Sequence, residues 1–122
     1  LGETDVEEAL MVASGADLIV DALLGTGISG DVRGLYKPLI EGLNAIPPPV
    51  LAIDVPSGLD CDTGRPLGTA IEAACTMTFI ARKQGYENEK AEKYVGRLGV
   101  VDIGMPRILL EHKAAEWQGK DQ

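Results

Sequence analysis

Two short aliphatic runs, each carrying an aspartate and each followed by a glycine-bearing loop, constrain this chain more than any other feature. The first is Asp17-Leu18-Ile19-Val20-Asp21-Ala22-Leu23-Leu24, and the second is Val50-Leu51-Ala52-Ile53-Asp54-Val55. Apolar runs without polar alternation fit strands buried on both faces, as in a parallel sheet. Between them, residues 35–44 place Leu35, Leu39, Ile40 and Leu43 on one helical face, and Pro47-Pro48-Pro49 forms a stiff connector. Strand, helix, strand in parallel is a right-handed unit with helices covering the sheet, so the fold class is α/β.

The flanks extend this reading. Thr4-Asp5-Val6-Glu7 has the form of a capping box opening a short helix, which ends near Ser14-Gly15. Residues 56–67 read as a loop and 68–74 as a helical turn. A strand is expected over 75–80, a solvated charged loop over 82–93, and a last strand over 95–103, closed by Asp102 and broken at Gly104-Met105-Pro106. Residues 107–122, which hold His112 and Trp117, read as a fraying tail. No internal repeat or low-complexity tract is present.

Composition narrows the function classes. Nineteen acidic against eleven basic side chains give a net charge of −8, which argues against a nucleic-acid binder that works through phosphate neutralisation. An acidic chain that takes an anionic ligand must use backbone amides, helix N-termini or a bound cation. No apolar stretch is long enough for a membrane helix. Cys61 and Cys75 make neither a disulfide framework nor a zinc spacing and read as reduced thiols. The expected compartment is the cytoplasm, with the mitochondrion as the alternative in a eukaryote.

Gly25-Thr26-Gly27-Ile28-Ser29-Gly30 follows the first strand, precedes a helix and matches Gly-x-Gly-x-x-Gly. Glycine lets the backbone approach a phosphate, and Asp54 ends the next strand 24 residues after Gly30, close to the ribose-carboxylate spacing of dinucleotide folds. A glycine turn without ligand produces the same hexamer. Asp54-Val55-Pro56-Ser57-Gly58-Leu59-Asp60 places a carboxylate, a hydroxyl and main-chain carbonyls where open α/β sheets bind ligands. With Asp21 on the neighbouring strand, these hard oxygen donors suit an alkali or alkaline-earth cation. On the residues alone, Asp21 serves equally well as a cap for neighbouring amides. Ser57 reads more simply as a turn hydroxyl, and Lys83 as a solvated loop lysine. Asp60 and Asp62 read as loop caps, and Tyr36 as a packing or surface group.

Three blocks together resemble the NAD(P)H-hydrate epimerase family, the YjeF N-terminal domain. They are residues 20–30, residues 50–64 with the distinctive Asp54-Val55-Pro56-Ser57-Gly58-Leu59-Asp60, and Val100-Val101-Asp102-Ile103-Gly104-Met105-Pro106. The resemblance implies a Rossmann-like, three-layer α/β/α sandwich with a mostly parallel sheet, truncated here at its N-terminus. On it, residues 1–106 are the C-terminal portion of the domain and 107–122 a tail. It also implies an isomerase that interconverts the R and S epimers of hydrated NADH and NADPH, with a potassium ion as cofactor. Asp21 and Ser57 then correspond to potassium ligands. Gly25, Thr26, Gly27, Ile28, Ser29, Gly30 and Asp31 correspond to the substrate-binding loop, and Asp54 to a substrate-contacting carboxylate, which we assign as the catalytic acid–base.

The family's Gly-Asn-Asn-Gly-Gly-Asp block is not found in this chain, and Ala81-Arg82-Lys83-Gln84-Gly85 has Gln84 where the family usually has proline. No dehydratase domain follows Pro106, so partnership with a separate dehydratase is expected. Members of the fold also serve as non-catalytic scaffolds, so a scaffold or binding domain or an inactive fragment is the competing reading, and a homodimer is compatible with either. An NAD-dependent dehydrogenase is disfavoured, because no catalytic His, Tyr or Lys set accompanies the glycine loop.

Overall fold

The computed structural model describes residues 2–24, 30–79 and 82–101. Helix α1 (Glu3–Ser14) leads into strand β1 (Ile19–Asp21), and helix α2 (Tyr36–Ala45) into β2 (Val50–Ile53). Strands β3 (Cys75–Phe79) and β4 (Arg97–Val101) follow, separated by two 3₁₀ turns (Gln84–Glu87 and Glu89–Ala91) and a single helical turn α3 (Glu92–Val95). All three strand pairings are parallel, in the order β1-β2-β3-β4. This agrees with the α/β, Rossmann-like expectation. No helix of the described residues is long and apolar enough to cross a membrane.

Because each strand lies beside its predecessor and successive parallel connections are right-handed, the connectors fall on one face of the sheet. Val50 and Ala52 are buried on that face against Ile40, Leu43, Ile71 and Ala73, with Leu10 and Ala13 of α1 packed outside them. A second cluster, Val55, Leu59, Ala70, Tyr86, Ala91 and Val95, lies under the segment leading to β4. The opposite face carries Val20, Leu51, Ile53, Met77 and Phe79, none of which belongs to either cluster, and Val20 is 57% exposed. The described residues therefore supply two of the three expected layers. The strands also follow one another without the reversal that marks the middle of a doubly wound sheet.

Several local expectations are corrected. Helix α1 starts two residues before the expected Thr4 cap, with Gly2 as N-cap, and only half of a capping box forms, the Gly2 amide donating to Asp5 Oδ2 at 2.6 Å. Strand β1 is only three residues long, because the chain bends at Leu23 and Leu24. Residues 68–74 are not a helical turn. Leu67 bridges Thr69, and the amides of Ile71 and Ala73 are taken by the carbonyls of Ser57 and Tyr94. Residues 82–93 are not a solvated loop either, since Gly85, Tyr86 and Ala91 are buried. The close of the last strand at Asp102, the Gly104-Met105-Pro106 break and the tail lie outside the described residues.

Candidate functional site

Strand β2 ends abruptly because Asp54 adopts φ +67°, the only positive φ at a described non-glycine residue. The amide of Val55 donates to the carbonyl of Ile53 at 2.8 Å, closing a three-residue γ-turn with Asp54 at its centre. Turns of this hand are rare and strained, and they persist where surrounding contacts over-determine them. Here the surroundings are specific. The amide of Asp54 donates to Met77 O at 2.7 Å, and its carbonyl accepts a 2.5 Å bond from the Tyr86 hydroxyl. Thr78 Oγ1 donates to Asp54 Oδ1 at 2.9 Å, and Lys83 Nζ lies 3.1 Å from the same oxygen. Among the described residues Oδ2 makes no hydrogen bond, so one carboxylate oxygen is anchored and the other is available.

Three residues on, Ser57 is fully buried and faces Asp21, which is 2% exposed. The Ser57 amide donates to Asp21 Oδ2 at 2.7 Å, and its hydroxyl donates to Oδ1 at 2.5 Å. The amide of Leu24 in turn donates to Ser57 Oγ at 2.9 Å, and the amide of Leu23 to Asp21 Oδ1 at 3.3 Å. The carboxyl ends of β1 and β2 are thus tied together by one carboxylate and one hydroxyl. The turn reading of Ser57 gives way to this cross-strand role.

Asp21 is a buried carboxylate whose partners are all neutral donors, with no lysine or arginine paired to it among the described residues. A buried charge normally carries a counter-charge. Asp21, Ser57 Oγ and the Leu24 carbonyl, 3.4 Å from that hydroxyl, are oxygen donors of the kind a hard cation takes, so the chemistry fits an alkali ion. No group of three or more His, Cys, Asp or Glu suited to a transition metal exists among the described residues.

Thr78 and Tyr86 escape the sequence reading, and the reading of Lys83 as a solvated loop lysine is corrected by its pairing with Asp54. Lys83 is drawn in by Gly85, whose amide donates to Cys61 O at 2.7 Å. A Cβ at Gly64 would overlap the carbonyl of Gly85, so the two glycines let residues 60–64 and 83–86 pack backbone to backbone. The Lys83-Gln84-Gly85-Tyr86 string was the only local signal. Burial, and then the negative charge of Asp54, push the Tyr86 hydroxyl well above its ordinary pKa, so it remains a donor throughout the neutral range. Tyr86→Phe is expected to cost about 1–2 kcal/mol in urea denaturation by leaving the Asp54 carbonyl unpaired. Ser57→Ala, which removes the hydroxyl bond to a buried charge and the acceptor for the Leu24 amide, is expected to cost about 2–4 kcal/mol by the same measurement.

The amide of Asp62 donates to Asp60 Oδ1 at 2.8 Å, so Asp60 is the loop cap expected. Cys61 and Cys75 are free thiols. Burial, with Asp62 and Asp60 adding to it, raises the Cys61 pKa, which disfavours a nucleophilic role. Gly25, Thr26, Gly27, Ile28 and Ser29 lie outside the described residues. Of that loop, Gly30 (φ +79°) and the exposed Asp31 are seen.

A parallel sheet whose strand ends present a pinned carboxylate and an oxygen-donor pair defines the class of Rossmann-like α/β domains. Comparison with known proteins makes this specific. Residues 2–85 match the family model described as YjeF-related protein N-terminus. The chain is 40% identical over 112 residues to the NAD(P)H-hydrate epimerase of Pirellula staleyi, covering 91% of this chain and 49% of that protein. It is 45% identical over 87 residues to the NAD(P)H-hydrate epimerase of Limosilactobacillus fermentum, covering 71% of this chain and 42% of that protein. To the bifunctional NAD(P)H-hydrate repair enzyme of Coxiella burnetii it is 43% identical over 108 residues, covering 84% of this chain and 22% of that protein. The chain belongs to the YjeF N-terminal family, and it spans about half the length of these two epimerases.

Proposed function

We propose that this chain forms the acid–base half of an NAD(P)H-hydrate epimerase, an isomerase that interconverts the R and S epimers of hydrated NADH and NADPH. The observation that carries the reading is Asp54, held at the end of β2 in a strained turn with Oδ1 fixed by Thr78 and Lys83 and Oδ2 without a hydrogen bond among the described residues. The relatives bearing the epimerase name support it. Relatives that hold this segment within a longer chain bear the name bifunctional NAD(P)H-hydrate repair enzyme, so a second activity accompanies it there. We therefore propose a dehydratase as the functional partner here.

The hydrate carries its hydroxyl on the carbon next to the ring nitrogen. The nitrogen lone pair expels that oxygen as the carbon–oxygen bond breaks, and a proton from Asp54 Oδ2 converts it to water. The iminium ring then accepts water on the opposite face, and Asp54 takes back the proton. No electron is gained or lost, so the dinucleotide stays at one oxidation level. Lys83, 3.1 Å from Oδ1, keeps the carboxylate aimed. A potassium ion held by Asp21 and Ser57 would balance the buried Asp21 charge and fix the loop between β1 and α2. Residues 25–31 supply amides for the diphosphate, which an acidic chain cannot hold with a basic patch.

The test is to incubate one purified epimer of hydrated NADPH with the protein and follow the other epimer by chromatography. The reading expects equilibration of the two well ahead of the spontaneous rate, faster in potassium than in sodium. A protein that binds the hydrate but leaves the epimer ratio at the spontaneous rate would instead be a scaffold or carrier.

A further inference from the structure

Strand β3 carries two fully buried threonines, Thr76 and Thr78. Two residues apart on a strand, they share one side of the sheet. Thr76 lies beside Ala52 in the register, so that side is the one covered by the connectors. A buried hydroxyl needs a partner. Thr76 Oγ1 donates to the main-chain carbonyl of Val95 at 2.7 Å, a bond that serves the fold alone. Thr78 Oγ1 donates to the Asp54 carboxylate at 2.9 Å.

Adjacent residues of β3 therefore grip Asp54 at two points, Met77 O taking its amide and Thr78 engaging its Oδ1. Both contacts follow from the register, in which Ile53 pairs with Met77 and Asp54 falls one step further on, beside Thr78. The two groups that meet Oδ1 differ in stiffness. Threonine is branched at Cβ and restricted about χ1, and Thr78 has none of its surface exposed. Lys83 reaches the same oxygen on a flexible four-carbon stem, with its side chain 28% exposed. The lysine supplies charge at Oδ1, and the threonine supplies direction. An ionised carboxylate only accepts hydrogen bonds, so the hydroxyl is the donor in this pair. With Oδ1 already engaged, a proton arriving at the carboxyl group is directed to Oδ2.

We infer that Thr78 is a positioning residue for the acid–base step: it fixes the rotation of the Asp54 carboxyl group and so makes Oδ2 the oxygen that carries the transferable proton. Thr78 gives up no proton of its own and acts only through Asp54. The inference rests on the epimerase reading for its kinetic consequence, whereas the orientation of the carboxyl group is observable without any reaction.

Thr78→Val keeps the shape and removes the donor, Thr78→Ser keeps the donor, and Thr76→Val removes the neighbouring hydroxyl bond that ends on the main chain. With one purified epimer of hydrated NADPH as substrate, Thr78→Val is expected to lower kcat about ten- to a hundredfold with KM within about twofold, a loss of orientation and not of binding. Thr78→Ser should restore kcat to within about threefold, and Thr76→Val should leave it within about twofold although urea unfolding shows both valine variants destabilised. Thr78→Ala, which removes the donor without setting a methyl group against the carboxylate, should repeat the fall and serves in place of Thr78→Val if valine prevents folding. Crystal structures should show the Asp54 carboxyl group turned or split between two orientations without the hydroxyl and unchanged in Thr78→Ser. An unchanged kcat in the donorless variants, an equal fall in Thr76→Val, or no rescue by serine overturns the inference. If the unmodified protein fails to interconvert epimers, the epimerase reading falls, and the carboxyl orientation decides alone: a turned or split group in the donorless variants sustains the positioning role, and a single unchanged orientation ends it.

Discussion

Gly58→Val is expected to abolish the folded state, with a loss of more than about 4 kcal/mol against a total stability of about 5–15 kcal/mol for a domain. Gly58 sits at φ +91° directly after Ser57, and a Cβ there would overlap the carbonyl oxygen of Thr69 and press on the Ala70 backbone. Neither neighbour can retreat. Ile71 N donates to Ser57 O at 2.9 Å and Leu67 N to Gly58 O at 2.7 Å. Moving residues 67–71 would therefore break the ladder that seats Ser57 against Asp21. Valine adds a branched side chain in a backbone region it essentially never occupies. Gly34→Ala serves as the control, because Gly34 also has positive φ (+62°) but a Cβ there meets nothing within 4 Å. It should cost only about 1–2 kcal/mol, the conformational penalty alone. Urea denaturation of both variants separates steric exclusion from backbone preference, and equal costs would remove the close approach as the cause.

The sheet was legible because burial on both faces leaves a continuous aliphatic run, and Val50–Ile53 has no other explanation. Helix α2 was legible because Ile40 and Leu43 recur on one face and are buried. Asp21, Asp54 and Ser57 could be named because strand ends in this topology converge on the ligand side. The ends of elements were less readable. β1 stops at Asp21 although Leu23 and Leu24 continue the apolar run, because their amides turn inward to bond Asp21 and Ser57.

Thr78, Lys83 and Tyr86 could not be found from local pattern for a physical reason. Thr78 reaches Asp54 only through the β2–β3 register, in which Ile53 pairs with Met77. Lys83 and Tyr86 do so only because Gly64 and Gly85 allow two loops to touch backbone to backbone. Contacts between residues 24 to 32 positions apart leave no periodicity in the chain. They make a lysine that looks solvated part of the site.

Asp54→Asn is expected to lower the epimerisation rate about 10²–10⁴-fold, the usual worth of a positioned acid–base group. The substitution suits the purpose, because asparagine tolerates positive φ and its Oδ1 can still accept from Thr78. Met77 O and Tyr86 hold the backbone independently of the side chain. What it removes is the movable proton and the pairing with Lys83. Binding of the hydrate should change far less than turnover, so the loss belongs in kcat more than in KM. Lys83→Met should lower the rate less severely, since it disturbs the aim of Asp54 without removing the group that meets the substrate.

The most direct measurement is therefore the initial rate at which a single epimer of hydrated NADPH is converted to the other at saturating potassium, compared between the unmodified protein and Asp54→Asn at matched stability. The account predicts rapid equilibration in the first and a rate at least a hundredfold lower in the second, with hydrate binding retained. Epimerisation by Asp54→Asn within twofold of the unmodified rate would contradict it.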